Sequence, residues 1–356
     1  EIVASLRHIH SASWGPRMDD ILINAIRPLF DLPPESKGTL LGVVRMLNDP
    51  YYRKWVISHC TEKTVQDFWL LEFASWGKND QSHNVNSSLN KIRRFQSSPI
   101  LRRVLGQQRS RINIARAIEE GQILIFDFTK HHMGAENANV LASLILSRLI
   151  YEGTRRTIPQ IDGVPALELV TPFHIYVDEF HSVTSLSMVE ALSGIRKFRV
   201  GLTLAHQYTD QLSDTILDAI KGNVGTKLVF RVGGDDAERL YANLDMAEPK
   251  HLADQSDYEF FASLKEGSSV ATKRGYTLPP VWEKYGHADA IRSLMASHFA
   301  RPVTEIDATY ERWQTSRHYG GVQARPTVKN KEEKQDNIRK RGGGSGMKPM
   351  SKFMLN

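Results

Sequence analysis

Phe173-His174-Ile175-Tyr176-Val177-Asp178-Glu179 is a short run of apolar and aromatic residues that ends in two carboxylates. Runs of this length and composition are typical of a buried strand. Two acids placed directly after such a strand put two negative charges at one strand tip. The segment therefore predicts a strand over 173–177 with a candidate functional pair, Asp178 and Glu179, at its end.

Similar short strands alternate with helices on both sides of this segment. The predicted strands are 123–128, 173–177, 200–205 and 226–231, and the predicted helices are 135–155, 186–198, 211–220 and 235–244. This alternation indicates an α/β fold with a parallel sheet flanked by helices. Such sheets bind ligands at the carboxyl ends of their strands. A hairpin is predicted after them, over 258–264 and 270–278.

Three further polar residues accompany the acidic pair in the alternating strands and helices. Gln207 follows the strand after the acidic pair, Arg196 ends the helix between these strands, and Arg231 follows a fourth strand. Each has a plain alternative: a surface glutamine, a cation favoured by a helix C-terminus, and an arginine that helps to cap the next helix. The order of the pieces, more than any one of them, favours a shared site.

The acidic pair fits one chemistry well. In P-loop ATPases the first carboxylate, here Asp178, holds Mg²⁺ through water, because Mg²⁺ prefers hard oxygen ligands and keeps several waters. The second, here Glu179, polarises the water that attacks the γ-phosphate. Taken alone, the pair is equally well explained as a strand ending in solvated acids.

Outside the predicted α/β core and a tail at its end, the chain is predicted to be mainly helical. Five segments are expected, and they follow in chain order: a helical lead-in at 1–33, a helical insertion at 34–118, an ATPase core at 119–285, C-terminal helices at 286–318, and a disordered tail at 319–356. The tail is rich in glycine, lysine and arginine, a composition that cannot bury a core.

Composition excludes several classes of protein. Of the 356 residues, 41% are hydrophobic and 24% are charged, values typical of a globular chain. The single cysteine excludes an internal disulfide and a multi-cysteine zinc site. Residues 321–356 contain nine basic and three acidic residues, so their net charge equals the +6 of the whole chain. The basic character therefore belongs to the tail and does not indicate a basic surface on the folded body.

The ordered set of motifs resembles the HerA/FtsK superfamily of P-loop DNA translocases, and most closely its branch of type IV secretion and conjugation coupling proteins of the TraD/TraG type. The matching segments are Tyr176–Phe180, Leu192–Phe198, Leu202–Tyr208, Gly222–Thr226 and Phe230–Gly233, with weaker likeness around Trp14–Arg17 and Gly121–Ile125. The resemblance covers roughly residues 10–280 and is specific from 173 to 235.

The resemblance implies a RecA-like core and assigns roles to residues. Asp178 and Glu179 would be the Walker B pair, Gln207 the sensor, Arg196 an arginine finger acting in the neighbouring subunit, and Arg231 a second finger candidate. It implies ATP and Mg²⁺ as cofactors, DNA as substrate and a homo-hexamer, with relaxase or secretion-channel proteins as further partners. It also implies a cytoplasmic location, at the inner membrane face if segments outside this chain reach the membrane.

One departure from the family is large. The sequence contains no G-x-x-x-x-G-K-[ST] loop, and Trp76-Gly77-Lys78-Asn79 lacks its spacing and its preceding strand. Since that loop cradles the phosphates, we expect a C-terminal portion of a motor that is inactive alone. Two alternatives stay open: a HerA-like helicase that works with a nuclease, and a non-catalytic adaptor or split subunit.

Overall fold

The computed structural model describes most of the chain. The described residues are 2–9, 13–36, 38–183, 186–244, 246, 248–266, 269–280, 285–316, 318–319 and 322–323. The predicted disordered tail lies almost wholly outside them. No helix among these residues has the length and apolar character needed to cross a lipid bilayer.

The amino-terminal third is built from helices alone in its described residues. Its helices are α1 (Ile2–Ile9), α2 (Pro16–Ile26), α3 (Leu40–Asn48), α4 (Pro50–His59), α5 (Lys63–Asp67), α6 (Phe73–Ser75), α7 (Lys78–Ile92), α8 (Arg94–Ser97) and α9 (Pro99–Leu105). Local sequence sets where they begin. Asp49, for example, accepts hydrogen bonds from the backbone nitrogens of Tyr51 and Tyr52 at 3.0 and 3.2 Å, and Pro50 occupies the first turn of α4.

These helices share one large core with the start of the long helix α12. The helices between the two parts are α10 (Ile114–Glu119), α11 (Lys130–Met133) and α12 (Ala135–Thr154). Val140 and Leu141 of α12 pack into the helical core, whereas Leu146, Leu149 and Ile150 pack into the next one. Helix α12 therefore connects the helical part to the α/β part.

The α/β part contains the parallel strand pair that the sequence predicted. After the short strands β1 (Gln160–Ile161) and β2 (Val164–Pro165), strand β3 (Phe173–Val177) lies parallel to β4 (Val200–Leu204). Helix α13 (Leu186–Gly194) makes the crossover between them and contributes to the same core as Ile175. Both strands begin together in register, with Phe173 beside Val200, so their carboxyl ends also meet.

The predicted fourth strand forms, but its place in the parallel sheet was wrong. Helix α14 (Asp214–Asn223) leads to β5 (Thr226–Phe230), which pairs with β6 (Glu259–Glu266) in an antiparallel ladder. Strand β6 and β7 (Ser269–Tyr276) form the predicted hairpin. Helices α15 (Gly234–Leu240) and α16 (Lys250–Ala253) lead the chain back to the edge of β5. There the backbone groups of β5 pair with β6, and not with a parallel strand.

The predicted strand over 123–128 is the second difference. Residues 122–129 have no regular secondary structure and form no ladder with any described strand. Leu124 and Phe126 pack against the α/β core, while Ile123 and Ile125 are 89% and 88% exposed. The segment thus has the period-two burial of a strand without a hydrogen-bonded partner, which is why a pattern-based prediction assigned it to the sheet.

The last described helices return to the helical part. They are α17 (Ala288–Phe299) and α18 (Val303–Thr315), followed by the short pair β8 (His318–Tyr319) and β9 (Val322–Gln323). The Arg103 guanidinium donates to both carboxylate oxygens of Asp307, with its closest contact at 2.7 Å. Arg45 donates to the carbonyl oxygen of Trp313 at 2.6 Å. These bonds hold α18 against α3 and α9.

Candidate active site

The candidate site lies where β3 and β4 end together. The backbone nitrogen of Ala205 donates to the carbonyl of Val177 at 2.9 Å, and that of Phe180 donates to the carbonyl of Ala205 at 2.9 Å. Parallel pairing therefore continues one step past the strands. It brings the segment that carries Asp178 and Glu179 beside the segment that carries Gln207, as the alternation of strands and helices predicted.

Glu179 occupies an unusual backbone conformation. Its φ is +46°, in the left-handed region, where a residue with a Cβ costs about 1–3 kcal/mol unless the surroundings hold it. Two local features hold it here. The Asp178 carboxylate accepts a hydrogen bond from the Glu179 nitrogen at 2.9 Å, and the next residue, Phe180, is fully buried. The chain thus turns sharply at the strand tip and presents the Glu179 side chain at this edge.

Gln207 and Glu179 are in direct contact. The Gln207 side-chain amide donates to one carboxylate oxygen of Glu179 at 2.6 Å. The other carboxylate oxygen lies 3.5 Å from Nδ1 of His181. Glu179 is therefore oriented by the Gln207 amide, with the His181 ring nearby, while it keeps partial access to solvent. A carboxylate held in this way can accept a proton from an adjacent water molecule.

Asp178 is the other carboxylate at the end of β3. Its side chain is exposed and makes no ion pair with another described residue. The described residues contain no group of three or more acidic, histidine or cysteine side chains that could enclose a metal. An isolated carboxylate at a strand end does fit Mg²⁺, which commonly uses one or two carboxylates and completes its shell with water and phosphate oxygens.

His181 is a site residue that the sequence did not single out. It lies in the short helical turn Phe180–Ser182, directly after Glu179. The thirteen histidines of the sequence show no spacing typical of a metal-ligand set, and a histidine that contacts a carboxylate two positions earlier does not stand out by spacing. No signal in the sequence identifies it, because the contact depends on the left-handed conformation of Glu179.

A buried hydrogen bond fixes the loop after Gln207. Asp236, near the start of α15, accepts from the backbone nitrogen of Thr209 at 3.0 Å and also from its hydroxyl group. Both residues are buried. This contact connects the loop after β4 to α15, the helix that follows β5. Gln207 therefore lies beside a segment that is fixed by buried hydrogen bonds.

His206 precedes Gln207 and is half-buried. Burial lowers its pKa, the nearby Asp236 carboxylate opposes this effect, and His181 adds to it. The folded chain consequently binds a proton at His206 less readily than the unfolded chain does. Folding stability should therefore be complete above the ordinary histidine pKa of about 6.5 and should fall as the pH drops through it.

This pH dependence can be measured with one variant. Urea unfolding at pH 7.5 and 5.5 should show a smaller loss of stability for His206→Asn than for the wild type, because asparagine does not titrate. His83→Asn, at an exposed position in α7, is the control and should lose as much stability as the wild type. Equal losses of stability in all three proteins would contradict the assignment of this pH dependence to His206.

The two predicted arginines do not meet the acidic pair within this chain. Arg196 is exposed in the turn Ile195–Phe198 after α13 and makes no ion pair with another described residue. Arg231 follows β5 and lies 2.9 Å from the Asp257 carboxylate. Arg196 is therefore free to reach another molecule, whereas Arg231 already has a partner in the segment before β6.

Comparisons with known proteins identify the architecture. No protein-family model and no curated protein sequence matches the chain. Among solved structures it is similar to the unbound bacterial conjugative coupling protein TrwBdeltaN70, with a TM-score of 0.51 and 13% identity over 81% of this chain and 70% of that one. It is also similar to TrwB bound to the non-hydrolysable ATP analogue ADPNP, with a TM-score of 0.51 and 14% identity over 75% and 66%.

A third solved structure, TrwB with ADP and Mg²⁺, has a TM-score of 0.50 and 13% identity over 78% of this chain and 65% of that one. This chain spans about two thirds of the length of the TrwB chains that it matches. Identity at this level establishes shared architecture only. The chain therefore has the RecA-like α/β fold of the conjugative coupling protein TrwB.

Proposed function

We propose that this chain is the water-activating part of an ATP-driven DNA translocase that moves DNA through a hexameric ring in conjugative or type IV secretion transfer. The observation that carries the proposal is the 2.6 Å hydrogen bond from the Gln207 amide to the Glu179 carboxylate, where the parallel strands β3 and β4 end side by side. The fold shared with TrwB supplies the context, because TrwB has been solved with nucleotides.

The acidic pair divides the chemistry between its members. Asp178 is exposed and would hold Mg²⁺ through water, and the bound ion would offset charge on the phosphates. Glu179 would draw a proton from the attacking water, and Gln207 would orient the carboxylate and report on the γ-phosphate. The phosphate-binding loop that the site needs would come from a segment outside this chain.

Arg196 would complete the site of a neighbouring subunit. It is exposed, unpaired among the described residues and carried by the crossover between the two site strands. A guanidinium that arrives from the next subunit stabilises charge on the transferred phosphoryl group. Closure of that interface during the ATP cycle would move the DNA-contacting loops.

Mixed rings test this arrangement. Arg196→Ala should lower ATP hydrolysis by the complete polypeptide about 10³-fold or more, the effect typical of removing an arginine finger. Mixing inactive Arg196→Ala subunits with inactive Glu179→Gln subunits should restore activity, because about one interface in four then joins an intact Glu179 to an intact Arg196 in a symmetric ring.

Arg116→Ala, an exposed arginine paired with Glu120, is the control and should retain activity alone. A mixture of the two inactive variants that stays inactive, although mixed rings form, would contradict action in trans. Full activity of Arg196→Ala alone would remove Arg196 from the site.

A further inference from the structure

A pocket far along the chain from the acidic pair lies between the helical part and α18. Its volume is about 310 Å³, at the lower end of the range of small-molecule sites. Residues from α9 and the loop after it form one wall, and residues from α18 form another. The lining residues that matter here are Leu41, Arg102, Arg109, Arg301, Tyr310 and Trp313.

The charge of the pocket is positive. Three arginines line it, against Glu35 as its single carboxylate. Arg301 pairs with Glu305 on its own side of the pocket. Arg109 is exposed and makes no ion pair with any described residue. The pocket therefore has cationic groups to offer to a ligand.

Arg102 gives a second, independent indication. Its Nε atom is buried and has no hydrogen-bond partner among the described residues. Leaving such a donor unsatisfied costs about 1–3 kcal/mol, so native proteins pair nearly all of them. The guanidinium carbon lies 5.1 Å from the centre of the Tyr310 ring, which fixes its orientation. Arg102 also lines the pocket, so a bound anion there would lie beside the same guanidinium group.

Neighbouring arginines lower the pKa values of two carboxylates near the pocket. Hydrogen bonding to Arg301, with the charges of Arg111 and Arg312, lowers the pKa of Glu305. Hydrogen bonding to Arg103 lowers the pKa of Asp307. Glu305 pairs with Arg301 and Asp307 pairs with Arg103, so neither carboxylate forms an ion pair with Arg102 or Arg109.

The remaining walls are aromatic and apolar. Tyr310 and Trp313 lie with ring centres 5.9 Å apart, and Leu41 closes the base. A bare inorganic ion would use the arginines and leave these surfaces unused. A ligand with a phosphate at one end and a flat ring at the other would use both, and guanidinium groups match phosphate oxygens in geometry.

We propose that this pocket binds a mononucleotide-sized aromatic phosphate, with its phosphate on Arg102 and Arg109 and its ring against Tyr310 and Trp313. Two kinds of molecule carry such a group: a free nucleotide and the 5′-phosphorylated end of a nucleic acid. The proposal does not depend on the function assigned to Asp178 and Glu179.

Isothermal titration of the full chain tests it, with EDTA present to suppress any magnesium-dependent binding elsewhere. Adenosine monophosphate should bind saturably, and adenosine and inorganic phosphate should each bind at least about tenfold more weakly. Arg109→Ala should weaken binding of the monophosphate about tenfold, the equivalent of ~1.4 kcal/mol. Arg116→Ala should bind it as the wild type does.

Arg301→Gln provides a second variant that does not disturb the stacked Arg102, and it should also weaken binding. A 5′-phosphorylated oligonucleotide that competes with the monophosphate identifies a nucleic-acid end as the source, and failure to compete identifies a free nucleotide. Absence of saturable monophosphate binding, unchanged affinity in Arg109→Ala, or preferential binding of a glutamate-rich peptide would overturn the proposal.

Discussion

Glu179→Gln in the complete polypeptide should retain ATP binding and lose hydrolysis by about 10²–10⁴-fold, the usual contribution of a general base. Glutamine preserves the shape of the side chain and its contact with Gln207, yet it cannot take a proton from water. Equilibrium binding of a fluorescent ATP analogue and steady-state phosphate release measure the two quantities separately.

Glu168→Gln is the matched control, since Glu168 is exposed in the short turn before β3. It should bind and hydrolyse ATP as the wild type does. Unchanged turnover in Glu179→Gln would remove Glu179 from its proposed role, and loss of ATP binding in this variant would indicate a structural role instead.

Phe180→Ala should destabilise the chain by about 3–5 kcal/mol, the range typical of removing a buried aromatic ring. Phe180 is 0% exposed and packs in the core of the α/β part. It also follows the left-handed Glu179, so the ring anchors the turn that positions the acidic pair. Urea unfolding measures the change, and the variant should also show a weakened Glu179–Gln207 contact.

Phe30→Ala supplies a control with the same chemical change at a surface position. Phe30 is 72% exposed, so its replacement should alter stability by less than about 0.5 kcal/mol. A similar small change for Phe180→Ala would show that the turn is held by its hydrogen bonds alone.

The local pattern of the sequence predicted the strands that frame the site. Strand β3 was predicted at its observed limits, 173–177, and β4 extends from 200 to 204 against a prediction of 200–205. Short apolar runs separated by a helix leave few alternatives to a parallel pair. The meeting of Gln207 with Glu179 followed from this pairing, because carboxyl ends of parallel strands share one edge.

Long-range pairing could not be predicted in the same way. Strand β5 was found at its expected position, but its partner is β6, which begins about 30 residues later. The composition of β5 fits either a parallel or an antiparallel neighbour. Residues 123–128 have the alternation of a strand and lack a ladder, and alternation reports which side chains are buried but not which backbone groups are paired.

Side-chain contacts between distant segments were equally inaccessible. The docking of α18 depends on Arg45 and Arg103, which meet residues more than 200 positions away. In α9, Arg103 binds Asp307 and Arg102 stacks on Tyr310. Periodicity carries no information about such pairs.

The measurement that tests the central claim most directly is steady-state ATP hydrolysis by the longest polypeptide encoded in this reading frame, with and without double-stranded DNA. The account predicts hydrolysis that requires Mg²⁺, rises on addition of DNA and disappears in Glu179→Gln. Hydrolysis that is absent under every condition, or that persists in Glu179→Gln and ignores DNA, would contradict the assignment of this chain to an ATP-driven DNA translocase.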